Sequence, residues 1–185
     1  VEKDIQLGNA LMGMYARCGD LRKTREVMEK LRSRDEVSWN TLISAYSWQG
    51  QGETALYCFE EMKRDGFSPI ITFISILKTC SSIGDINTGR QIHHEITSKG
   101  YLGKTTPLGN ALIDMYAICG ELYKAREVLE ELLVRDVVTW TGLISGYIRY
   151  GQGEEALECF TRMRNESLSP NVITFTCILK ACGTI

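Results

Sequence analysis

Proline occurs only three times in 185 residues, so little in the chain interrupts helices, and proline-rich or collagen-like structure is excluded. An excess of charge of either sign is also missing. Lys plus Arg number 21 against 23 Asp plus Glu, giving a formal charge of -2. The sequence pI of about 5.8 is far from the basicity of a compact nucleic-acid-binding domain, so overall charge points to neither RNA nor DNA. Long apolar runs are absent too: even Val172–Leu179 is short and contains Thr174 and Thr176, against the roughly 18 to 20 residues a membrane-spanning helix needs. The segment is expected to be soluble. It begins at Val1 with no charged, apolar or Arg-rich leader, so any targeting segment is expected outside it.

Cysteine is present but not in a pattern that suggests bridges or metal. The seven cysteines are odd in number, and none forms a C-x-x-C pair. Six of them fall in matched positions: Cys18 with Cys119, Cys58 with Cys159, and Cys80 with Cys182. Apolar neighbours at helical spacing predict buried thiols acting as small hydrophobes in a reducing compartment. His93, His94 and Glu95 do not form H-E-x-x-H, and no third ligand is nearby, so no metal site and no cofactor are expected.

What the sequence does have is internal repetition, with 44% hydrophobic and 24% charged residues to build it. LGNALMGMYARCGDL at Leu7 to Leu21 returns as LGNALIDMYAICGEL at Leu108 to Leu122. VSWNTLISAY at Val37 to Tyr46 returns as VTWTGLISGY, and GQGETALYCF at Gly50 to Phe59 as GQGEEALECF. Of the 63 positions from Leu7 to Pro69, 36 are identical to the residue 101 later. Turn residues divide that period into spans 5–35, 36–69 and 70–105, after which 106–136, 137–171 and a truncated 172–185 begin the cycle again. Residues 1–4 resemble the tail of an earlier span.

Each span is predicted to hold two amphipathic helices. In 36–69, Val37, Trp39, Leu42, Ile43 and Tyr46 recur at helical spacing, Gly50 and Gly52 interrupt, and Ala55, Leu56, Phe59 and Met62 resume. Helix pairs of this length imply an all-α, right-handed α-solenoid, whose units bury their apolar faces only by stacking. Trp39 and Trp140 are expected in that core. Asp35 and Asp136 stand where helix N-caps would stand.

Tetratricopeptide repeats have nearly the same period, so the residues themselves must distinguish the families. The chain resembles the pentatricopeptide repeat family of plant organelles, specifically its PLS subclass. NALIDMYAICGELYKAREV at Asn110 to Val128 resembles the short motif, VVTWTGLISGYIRYGQGEEALECFTRM at Val137 to Met163 the ordinary one, and ITFISILKTCSSIGDINTGRQIHHEI at Ile71 to Ile96 the long one. The resemblance covers the whole chain in the order short, ordinary, long, short, ordinary, truncated long.

That resemblance implies sequence-specific binding of single-stranded RNA, one motif to one nucleotide. The fifth and last residues of a motif would read the base edge, and the second would pack against base faces. Asn9 with Asp35, and Asn110 with Asp136, match the uracil-preferring pair; Thr141 with Asn171 matches the adenine-preferring pair. Asn40 suggests a pyrimidine, but its motif ends at Pro69 or Ile70 and lacks a polar last residue. Ile74 with Thr105 fits no strong preference. With the amino end toward the 5′ end, the first five motifs would prefer U, pyrimidine, any base, U, A. The second positions are Gln6, Val37, Ile71, Pro107, Val138 and Ile173. A structural alternative stays open, in which Asn9, Asn40, Asn110, Asp35 and Asp136 merely satisfy backbone groups at helix ends.

The resemblance further implies part of a specificity factor for C-to-U editing in chloroplast or mitochondrial transcripts. The chain is expected not to be an enzyme itself, because the combined H-x-E and C-x-x-C signature of a deaminase domain is missing. A competing implication is a protein scaffold, in which long motifs bind small proteins of the multiple organellar RNA editing factor family through Ile70, Ile71, Ile74 and Leu77.

Overall fold

The computed structural model describes residues 2–67, 70–102 and 105–183, and every regular element among them is an α-helix. In order these are α1 (Glu2–Arg17), α2 (Leu21–Lys30), α3 (Glu36–Trp48), α4 (Gly52–Arg64), α5 (Ile70–Ile83), α6 (Ile86–Ser98), α7 (Thr106–Ile118), α8 (Leu122–Glu131), α9 (Val137–Arg149), α10 (Gly153–Asn165) and α11 (Val172–Cys182). No helix among the described residues is long and apolar enough to cross a membrane. α1 already contains Glu2–Asp4, because no Gly or Pro interrupts the chain before Leu7.

The helices form two compact units, Val1–Ile83 and Gly84–Ile185, with the division between α5 and α6. In the first unit α1 packs on α2 and α3, α3 on α4 and α5, and α4 on α5. Ile43, Phe59, Met62, Phe73, Ile76 and Leu77 are almost wholly buried there, and Phe59 meets Phe73 edge-on at 6.0 Å. In the second unit α6 packs on α7, α7 on α8 and α9, and α9 on α10 and α11. Trp140 lies in that core, as Trp39 lies in the first, with 0% and 4% exposure.

Glycine sets two close approaches. A Cβ at Gly8 or Gly109 would collide with Leu31 or Leu132, so the glycine of the LGN triplet lets the residue that ends each following helix lie against it. Gly50 and Gly151, at φ 72°, close α3 and α9 in the left-handed conformation.

The cysteine expectation holds only in part. Cys58, Cys80 and Cys159 are buried, and burial pushes the thiols of Cys58 and Cys159 up to about 11. Cys119 is half-buried, but Cys18 and Cys182 are exposed. Cys18 follows α1, whose Leu7 and Met14 are 62% and 41% exposed, whereas their counterparts Leu108 and Met115 are fully buried. α6 covers α7 in its unit, and no described helix of the first unit covers α1 in that way.

Candidate nucleic-acid interface

Asp35, Asp136 and Asn171 each precede a first helix in extended backbone conformation and cap it. Each side chain accepts the backbone N–H three residues on, from Ser38 at 2.8 Å, Thr139 at 2.8 Å and Thr174 at 2.9 Å. Each backbone N–H in turn donates to the hydroxyl of that residue, completing a reciprocal cap. The structural role that the sequence allowed for the two aspartates is therefore present.

The same caps also reach back to the preceding first helix. Asn9 Nδ2 donates to both carboxylate oxygens of Asp35 at 3.1 Å, and Asn110 Nδ2 donates to Asp136 Oδ1 at 3.4 Å. The residues expected to stand fifth and last, 26 apart in sequence, thus meet in both copies of the repeat. A carboxylate only accepts, which fixes the amide orientation with nitrogen toward the acid. Thr141 and Asn171 meet indirectly: Thr141 Oγ1 lies 2.8 Å from Thr174 Oγ1, which donates to Asn171 Oδ1 at 2.9 Å. With its single hydrogen directed to Asn171, Thr174 accepts from Thr141. Asn40 Oδ1 accepts from the Thr72 hydroxyl. Its expected partner Pro69 lies outside the described residues, as does the side chain of Ile70. Ile74 and Thr105 fall in different units; Thr105 is exposed and precedes α7 without a side-chain cap bond.

Burial pushes the Asp136 carboxyl up, but the Thr139 backbone N–H, the Thr139 hydroxyl and the Asn110 amide outweigh it, leaving a pKa below the usual carboxylate value. The pair is thus an ionised acceptor holding an amide. Beside these groups the second-position residues stand in solvent: Val37, Ile71, Val138 and Ile173 are 56%, 67%, 55% and 61% exposed, and Gln6 and Pro107 are also exposed. Apolar side chains exposed at the same motif position offer flat contact area beside the amides.

Charge is unevenly distributed between the two helices of each pair. Second helices carry ion pairs, including Arg90 with Glu121 at 2.5 Å and Arg126 with Glu158 at 2.7 Å. Arg17 of α1, Lys78 of α5 and Arg149 of α9 are exposed and form no ion pair among the described residues. Those cations remain available to anions.

Four hydroxyls were missed by the sequence reading as members of the site: Ser38, Thr72, Thr139 and Thr174, each the third residue of a motif. For Ser38, Thr139 and Thr174 the signal was a hydroxyl residue three places after a cap, D-E-V-S, D-V-V-T and N-V-I-T; Thr72, in P-I-I-T, had no such signal. Elsewhere, His93-His94-Glu95 satisfies H-x-E literally, but His93 Nδ1 lies 2.9 Å from the Tyr116 hydroxyl, a packing contact between α6 and α7. Among the described residues no group of three His, Cys, Asp or Glu is placed to hold a metal ion.

The chain is also similar to known proteins. A model of the PPR repeat family matches residues 34–82 and 135–184, and a PPR repeat model matches residues 9–35 and 110–137. A chloroplastic pentatricopeptide repeat-containing protein of Arabidopsis thaliana is 37% identical over 184 residues, covering 99% of this chain and 30% of the relative. A mitochondrial one from the same plant is 35% identical, covering 96% of this chain and 22% of the relative. The chain therefore spans less than a third of the length of these relatives. Among solved structures, the pentatricopeptide repeat protein PPR10 in complex with an 18-nt psaJ RNA element superposes with a TM-score of 0.78 at 21% identity, over 94% of this chain and 27% of that one. A nuclear proteinaceous RNase P from A. thaliana superposes at 0.71 and 14% identity, over 95% of this chain and 41% of that one. The shared fold is an all-α helical repeat solenoid.

Proposed function

Because this chain belongs to the pentatricopeptide repeat family, we propose that it binds single-stranded RNA through its first helices, one motif to one nucleotide. The observation that carries the reading is the meeting of fifth and last residues, Asn9 with Asp35 and Asn110 with Asp136. An amide held on one hydrogen by a carboxylate keeps its other N–H for a base edge. The solvent-facing second-position residues supply base packing, and Arg17, Lys78 and Arg149 supply phosphate contacts. The RNA in the complex of the related solenoid PPR10 supports the same reading. The preferences are U at Asn9 and Asp35, a pyrimidine at Asn40, little selection at Ile74 and Thr105, U at Asn110 and Asp136, and A at Thr141 and Asn171.

The finer assignment is a PLS-type specificity segment for organellar C-to-U editing, without catalytic chemistry of its own. It rests on the short, ordinary and long rhythm of the motifs; chloroplastic and mitochondrial relatives support the organellar part. The long motif has a second reading, docking of small editing-factor proteins, which the exposed Ile71 favours; Leu77, fully buried in the core, takes no part in it.

Asn110→Ala tests the base reading. The variant should lose about 1 to 3 kcal/mol of preference for U at the fourth nucleotide, by analogy with bidentate contacts to DNA bases. Its melting should change little, because Thr139 keeps Asp136 Oδ1 as an acceptor at 2.9 Å. A large fall in melting temperature with intact RNA preference would make Asn110 a structural residue only.

A further inference from the structure

We propose that a threonine at the third residue of the following motif is a positioning residue for base discrimination, and that serine there does not fill the role. The inference rests on the RNA reading above. It starts from a difference between sites whose fifth and last residues are identical. Asn110 is held at both ends of its amide: Nδ2 donates to Asp136, and Oδ1 accepts from Thr139 Oγ1 at 2.7 Å, the hydroxyl sharing its one hydrogen with Asp136 Oδ1 at 2.9 Å. Asn9 is held at one end only. Its Nδ2 donates to Asp35, but its Oδ1 is buried without a hydrogen-bond partner. The residue that could have met it, Ser38, directs its hydroxyl to the backbone carbonyl of Asp35 at 2.8 Å.

The same division runs through the other described sites. Thr72 donates to Asn40 Oδ1, and Thr174 pairs with the Thr141 hydroxyl at 2.8 Å. Three threonines touch the fifth residue of the preceding motif; the one serine does not. Capping alone does not explain the contact, because Ser38 completes the reciprocal cap with Asp35 without touching Asn9. The physical difference is the branched side chain. A threonine methyl restricts χ1, while serine rotates freely enough to bond its own helix start. A fixed hydroxyl leaves the fifth residue one orientation, so its remaining hydrogen-bonding capacity presents one pattern to a base. A fifth residue fixed at one end reorganises more readily around a mismatched base, which lowers selectivity. Ser38 and Thr139 are both fully buried at equivalent positions, so each site has the environment its exchange partner occupies in the other.

The test is the reciprocal exchange in the 185-residue chain, Thr139→Ser and Ser38→Thr, with competition binding to RNAs containing 5′-UCAUA-3′ and single-base changes of it. Thr139→Ser should lower discrimination for U at the fourth nucleotide by roughly fivefold, the value of one ordinary hydrogen bond, and leave the other four nucleotides unchanged. Ser38→Thr should raise discrimination at the first nucleotide by a similar factor. Because both variants keep the cap, both should melt within a few degrees of the parent. Unchanged discrimination at the fourth nucleotide in Thr139→Ser, or an equal loss at every nucleotide, would overturn the proposal while leaving the RNA reading intact. A parent chain with no preference for U at the fourth nucleotide would contradict the RNA reading itself.

Discussion

At the scale of single residues, the two halves of the repeat differ where the sequence looks conservative. Trp140 Nε1 donates to Glu166 Oε2 at 2.8 Å, and Arg135 pairs with the other oxygen of the same carboxylate at 2.7 Å. One period earlier the acid is Asp65, one methylene shorter; it reaches Arg34 only at 4.0 Å, and Trp39 Nε1 is buried without a partner. An unsatisfied buried donor costs about 1 to 3 kcal/mol. Asp65→Glu is therefore expected to stabilise the protein by about 1 kcal/mol in chemical denaturation, and the Trp39 indole N–H should shift in an NMR spectrum while that of Trp140 stays. A destabilised variant would show that Asp65 serves the site in some other way. Repetition pointed to both tryptophans as core residues, but comparing Asp with Glu could not reveal the orphaned donor. Nor could the repeat foresee Cys18, whose exposure follows from an uncovered face of α1, not from its own neighbours in sequence.

At the scale of elements, helix ends were legible because their chemistry is local. Aspartate marked the starts of α3 and α9, and glycine marked their ends. The role of the hydroxyl three residues after a cap was not legible, since its second partner lies on another helix. Packing between α6 and α7 has a pH dependence of its own. Burial holds His93 below its ordinary pKa; Glu131 and Glu127 oppose the shift, while Lys124 and His94 add to it, and Tyr116 contacts the ring directly. A histidine with a folded pKa below the unfolded value of about 6.5 contributes stability fully present above that pH, and lost as pH falls through the folded value. Between pH 7 and pH 5 the parent chain should lose more melting temperature than His93→Gln, which keeps a hydrogen-bonding side chain without the titration. Equal losses in the two proteins would remove His93 from that account.

At the scale of the whole molecule, a period of 101 residues divided into three spans gave the helix order, because each unit repeats the alternation of apolar face and turn. It did not give the division into compact units between Ile83 and Gly84, which separates the two helices of the span 70–105. That span has no polar fifth residue, and Ile74 and Thr105 carry no expected base preference. Selectivity in the proposed tract thus belongs to the short and ordinary motifs on either side. The central claim is that each motif reads its own nucleotide independently, and the fifth motif tests it most directly. Changing Thr141→Asn together with Asn171→Asp gives that motif the pair present in both short motifs, with Thr174 still in place as the bridging hydroxyl. Competition binding to RNAs varied only at the fifth nucleotide should show the preference moving from A in the parent to U in the double variant, with the first four preferences unchanged. Retention of A, or a change in affinity that ignores the identity of the fifth base, would contradict it.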